Sequence, residues 1–194
     1  YLVFTDFHLI DALACVNPVL LLSEIVAHPT PGASYIELHN SGTASLTFTN
    51  HAVVLYLNGS DPVQIPIAGT LGAGSSMVIA AQSNAFTSVF TGRTPHLVNT
   101  NLLALDGNDV VALRNADNRI TDLYGVIGEP NGPADFSMIW AFATSRVQRI
   151  AGVSDPINPW SAIEWSKAPA ALATPGNHAA CNAASVFFQS TATI

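Results

Sequence analysis

Apolar residues in this 194-residue chain come in short runs broken by Gly, Pro, Asn and Asp, at about the 8–12 residue spacing typical of β-sandwiches. The pattern predicts strands over residues 19–27, 35–40, 52–58, 63–67, 77–81, 109–115, 120–127 and 146–153, with a short last one at 163–167. Asn58-Gly59-Ser60-Asp61-Pro62 and Asn115-Ala116-Asp117-Asn118 supply turn chemistry between neighbouring runs, since Asn and Gly tolerate positive φ. One short helix is expected over 84–91, with Ser83 as its cap and Gly92 as its stop.

The two ends carry a different pattern. Residues 1–10 (Tyr-Leu-Val-Phe-Thr-Asp-Phe-His-Leu-Ile) read as an extended strand with apolar residues on both faces. Residues 185–194 alternate, with Val186, Phe188, Ala192 and Ile194 on one face and Phe187, Gln189, Thr191 and Thr193 on the other. Unattached tails are normally polar, because segments that cannot bury apolar area stay disordered. These ends are therefore expected to join a sheet, either their own or that of a second copy.

Composition narrows the class. Hydrophobic residues make up 49% of the chain and charged residues 10%, against roughly 25% charged in an average soluble domain. No apolar run approaches the ~20 residues a membrane-spanning helix needs. The formal net charge is −7, with Lys167 and five arginines scattered along the chain. A nucleic-acid partner is not expected, because phosphate contacts call for a clustered basic footprint. The chain begins at Tyr1, and Ala12-Leu13-Ala14-Cys15 superficially resembles a cleavage or lipoprotein site. The stretch before it carries Asp6, His8 and Asp11 and has no basic start, so it reads as mature, exported sequence. Cys15 and Cys181 lie near opposite ends. In an oxidising compartment they would form a disulfide, worth about 5 kcal/mol of unfolded-state entropy for so long a loop. Two buried free thiols are the alternative.

Several segments together resemble bacterial lamin-tail domains. Leu21-Leu22-Ser23-Glu24-Ile25-Val26 and Tyr35-Ile36-Glu37-Leu38-His39-Asn40 are similar to that family's opening pair of strands. Gly69-Thr70-Leu71-Gly72-Ala73-Gly74, Asp106-Gly107-Asn108-Asp109-Val110-Val111-Ala112-Leu113, Ile120-Thr121-Asp122-Leu123-Tyr124-Gly125, Glu164-Trp165 and Ala173-Thr174-Pro175-Gly176 follow in the family's order. Asn50-His51 departs from the family's frequent Gly-Trp. The resemblance covers roughly residues 19–179. It implies an all-β, immunoglobulin-like sandwich of lamin-tail type with no catalytic centre or cofactor of its own. Residues 1–18 would be an N-terminal extended strand and linker, and 180–194 a C-terminal extended strand.

Candidate chemistry is sparse. Glu24 and Glu37 fall in adjacent predicted strands, and the resemblance favours a structural role for them, bonding loop backbone or pairing with Arg146 or Arg149. His8, His28, His39, His51, His96 and His178 show no i, i+2 or i, i+4 ligand spacing, whereas zinc needs three or four converging ligands. Gly72-Ala73-Gly74-Ser75-Ser76 falls short of a nucleophile elbow, which must lead into a helix. Asp106-Gly107-Asn108-Asp109 reads as a turn; calcium binding would require alternating oxygens and a distant bidentate Glu. Asn58-Gly59-Ser60 is a glycosylation sequon on a turn. Trp140, Trp160 and Trp165, with Phe136 and Phe142, read as core plugs at the ends of a sandwich rather than a sugar-stacking platform.

The functional expectation is a non-enzymatic, cofactor-free structural subunit of an extracellular or cell-surface assembly, a filament or surface layer. Its partner would be itself, through strand addition, and a head-to-tail contact whose rotation does not close builds a filament. Leu2, Val3, Phe4, Phe7 and Leu9, or else Val186 and Phe188, would form the exchanged strand. The alternatives are a secreted adhesion module that binds cell-surface glycan, or an accessory domain of a secreted hydrolase or nuclease.

Overall fold

The computed structural model describes residues 17–129 and 135–179. Among these described residues ten strands form two sheets: β1 (Leu20–Val26), β2 (Tyr35–Asn40), β3 (Leu46–Tyr56), β4 (Val63–Leu71), β5 (Ser76–Ala80), β6 (Leu97–Val98), β7 (Val110–Arg114), β8 (Ile120–Tyr124), β9 (Ser145–Arg149) and β10 (Trp165–Pro169). One sheet has six strands in the order β10-β9-β1-β2-β5-β6; the other has four, in the order β4-β3-β7-β8. All pairings are antiparallel except β5 with β6. This is the expected all-β, immunoglobulin-like sandwich.

Period-2 alternation explains the core. From β2, Ile36 and Leu38 point inward, as do Met77 and Ile79 from β5, and both pairs meet Val53, Leu55, Val111 and Leu113 of the opposite sheet. In β1 the register with β2 shifts between Leu22 and Glu24. This bulge changes the phase, so Leu20 and Leu22 before it and Ile25 after it all face the core. Every residue of β1 and β2 is buried, because the outer face of the six-stranded sheet is covered as well. There Val26, Tyr35, Val78 and Ala80 pack with Phe86 and Phe90, and with Ala170 and Ala173 of the C-terminal segment.

Several boundaries differ from the pattern-based expectation. The helix α1 spans Ser83–Val89, with Gln82 rather than Ser83 at its cap position and no side-chain cap bond. Phe86 buries against Tyr35, so tertiary packing holds this helix where capping does not. β3 starts at Leu46 instead of residue 52, because a bulge near Asn50 (φ +56°) interrupts the alternation without ending the strand. That positive φ suits Asn or Gly, which accounts for Asn50 standing where the resembling family often has Gly. β8 ends at Tyr124, since Gly125 turns the chain at φ +92°. β9 stops at Arg149, after which residues 150–153 form a turn. β6 has only two residues, too few to leave a periodic signal.

Candidate functional site

The polar groups on the outer face of the six-stranded sheet are brought together by β1, β2 and β5. The β1 bulge turns Ser23 and Glu24 outward beside Glu37, which lies directly across from Glu24. Like charges opposed in this way repel, and each carboxyl is satisfied separately. Glu24 pairs with Arg146 at 2.7 Å and accepts a hydrogen bond from the Tyr35 hydroxyl. Glu37 accepts from Ser23 Oγ at 2.6 Å and from the Gly176 amide at 2.5 Å. Burial pushes the Glu37 carboxyl up to about 7, opposed by those two hydrogen bonds and assisted by Glu24. Burial, and then Glu24, also raise the Tyr35 hydroxyl.

Gly176 belongs to a strap, residues 170–179, that crosses this face. His178 at its end meets His39 edge-on, with ring centroids 4.9 Å apart, and His39 Nδ1 lies 2.9 Å from Ser76 Oγ. Burial lowers both imidazoles to about 4, His178 further through His39 and Arg149. Ser76 and His39 are thus a hydroxyl and an imidazole in contact. The imidazole is only 2% exposed and too weakly basic to serve well as a proton acceptor near neutrality.

A second network joins the two sheets from inside. Arg149 donates from Nη2 to both Asp122 oxygens at 2.6 and 2.7 Å, from Nη1 to Glu164 at 2.5 Å and from Nε to the Leu22 carbonyl at 2.8 Å. Its guanidinium sits 4.7 Å from the Trp165 ring centre. Asp122 also accepts the amides of Leu22, Leu123 and Ile157. The backbone of Leu22, beside the bulge, is thereby satisfied by side chains of β8 and β9. The resemblance pointed to Arg146 or Arg149 as partners for Glu24 and Glu37; Arg146 takes Glu24, while Arg149 serves Asp122. A carboxylate within the apolar run Ile120-Thr121-Asp122-Leu123-Tyr124 was the available signal for this clasp.

The remaining candidates have structural surroundings. Asp109 is buried and accepts the amides of Asn58 at 2.9 Å and Asp106 at 3.1 Å, while Asp106 accepts the Asn108 amide. Burial raises Asp109 to about 6. This loop spends its carboxylates on backbone, and no group of three or more His, Cys, Asp or Glu is poised for a metal among the described residues. Asn58 is half-buried at φ +49° beside a groove of about 460 Å³. Trp140 and Phe142 are fully buried, and Trp160 and Trp165 flank Tyr124 edge-on. The aromatic cluster plugs the core, leaving Phe136 half-exposed. Cys15, Cys181, Leu2, Val3, Phe4, Phe7, Leu9, Val186 and Phe188 lie outside the described residues.

A family model for the lamin tail domain matches residues 16–128, from just before β1 to just past β8. The chain belongs to the lamin tail domain family. No curated protein matches it significantly. In this lamin tail domain the strands β9 and β10 lie beyond the matched residues, yet β9 pairs directly with β1 and supplies Arg149. No helix among the described residues is long and apolar enough to cross a membrane.

Proposed function

We propose that this lamin tail domain is a non-catalytic structural subunit of an extracellular assembly, a filament or surface layer, whose copies join by terminal β-strand addition. One observation carries the reading: β4, nine residues long, stands at the edge of its sheet with no strand on its outer side among the described residues. An open edge of that length offers main-chain hydrogen bonds to an incoming strand. The other edges are less suitable. The edge of β8 is occupied by Ile157, whose carbonyl accepts the Leu123 amide, β6 has two residues, and β10 is a five-residue strand carrying Lys167 and Pro169.

Pro66 pairs with Ala52 inside β4. A proline sits in a strand only where its missing N–H faces away from the neighbour. Gln64 shares that orientation, so the open edge retains its donor there while Pro66 restricts the register of the incoming strand. Residues 1–10 are the strand we assign to this role. Deleting them should convert concentration-dependent oligomers into monomers by size-exclusion chromatography and abolish particles seen by electron microscopy. Gln64→Pro should do the same: it removes an outward main-chain donor, along with the bond Gln64 Oε1 accepts from Arg114 at 2.6 Å, and circular dichroism should show the domain still folded. A full-length protein that stays monomeric over a wide concentration range would overturn the reading.

A further inference from the structure

The most exposed of the large apolar side chains among the described residues are Ile139 and Ile163, at 86% and 84% exposure. Ile139 lines a pocket of about 90 Å³ with Tyr124, Trp160, Trp165 and Lys167, and Ile163 adjoins Ala162 on the same rim. The pocket opens beside β10, whose outer edge carries no strand among the described residues. Two isoleucines this exposed beside an unpaired edge leave apolar surface that a strand laid along β10 would cover. No carboxylate lines it; Lys167 is its only charged group, and its ammonium is held by the Ala141 carbonyl at 3.1 Å.

We infer that this patch is the seat of the chain's own residues 180–194. The described backbone ends at Ala179, whose carbonyl accepts the Gly152 amide at 3.4 Å. Two residues earlier, the Ile150 amide donates to the carbonyl of Glu164, the neighbour of exposed Ile163. The chain therefore departs close to the Trp165 end of β10. At about 3.3 Å per extended residue, residues 180–186 reach as far as ~23 Å, and the large apolar side chains Val186, Phe187 and Phe188 follow at that reach. These fifteen residues contain no Asp, Glu, Lys or Arg, in keeping with a rim whose single charge, Lys167, is already held by a backbone carbonyl. Residues 1–16 carry Asp6 and Asp11 and leave from Asn17, beside Gly42. The docking deepens the assembly reading by occupying one open edge from within and leaving β4 for exchange.

Hydrogen exchange of the β10 amides, read at a concentration where the protein is monomeric, tests it. Deleting residues 185–194 should speed exchange of the unpaired-side amides about tenfold or more and raise the fluorescence of a hydrophobic dye. Val186→Asp with Phe188→Asp, in a chain of unchanged length, should do likewise if the deletion folds poorly. Unchanged β10 exchange in both variants overturns the inference. So does protection that vanishes on deleting residues 1–10 instead, or that rises only as dimers form. None of these readouts depends on whether residues 1–10 assemble filaments, so the two ideas fail separately.

Discussion

Arg149 carries its charge into a site that is 1% exposed, and it does so with three side-chain or backbone acceptors already in place. A buried ion pair adds little net stability compared with an apolar substitute, but removing one partner strands the other. Asp122→Ala should therefore cost on the order of 3–5 kcal/mol, since it also orphans the amides of Leu22 and Ile157. Glu164→Gln, at the partly exposed end of the same guanidinium, should cost much less. Urea titration of the two variants checks the ordering. Gly107 holds φ +101°, and an added Cβ would meet the Ala143 backbone nitrogen at 2.7 Å. Gly107→Ala should destabilise by at least about 1 kcal/mol through strain at that φ, seen as a lower melting temperature. These roles were half legible beforehand. Asp122 and Glu164 stood in recognisable motifs, but which base met which acid depends on the sandwich closing, and no local spacing encodes that.

The C-terminal strap and the three strands beneath it respond to pH with opposite signs. His39 and His178 bind protons more weakly in the fold, near 4, than in the open chain, at 6.5. Their contribution is fully present above pH 6.5 and is lost as pH falls toward 4. Glu37 behaves in reverse. Its proton is held up to about 7 against 4.5 in the open chain, so its burial becomes increasingly costly as pH rises through that window. Melting curves should show the acid-side decline shrinking in His39→Gln with His178→Gln, and the decline between 4.5 and 7 shrinking in Glu37→Gln. Limited proteolysis within residues 170–179 should accelerate at pH 5 in the native chain and less so in the double histidine variant. Strand positions were readable from short apolar runs bounded by turn residues, because each strand buries at least part of its surface. The bulges near Ser23 and Asn50 were not, because an extra residue leaves composition unchanged and alters only phase. The strap was legible only as the closing motif Ala173-Thr174-Pro175-Gly176; its seat on the sheet was not, because it packs through backbone, Ala170 and Ala173, which give no periodic signal.

Across the described residues, β1 and β2 at the centre of the six-stranded sheet are buried on both faces, while β4 at the edge of the four-stranded sheet exposes about every second residue. That asymmetry explains the low charge fraction: a sheet covered on both sides needs apolar residues at consecutive positions rather than alternate ones. Replacing Ile163 with Ser should leave the melting temperature nearly unchanged if the position is as wet as its 84% exposure implies, and should lower it if residues 180–194 shield it in the complete chain. Differential scanning calorimetry separates the outcomes.

The clasp between β8 and β9 straddles the edge of the family match, with its anion inside and its cation outside. A version of the chain cut off shortly after β8 would keep Asp122 in a hydrocarbon setting without its counter-ion, and would strip β1 of a neighbour. Such a fragment should aggregate or fail to fold. The smallest piece expected to behave as one cooperative unit thus reaches to the strap, some fifty residues past the end of the family model's match.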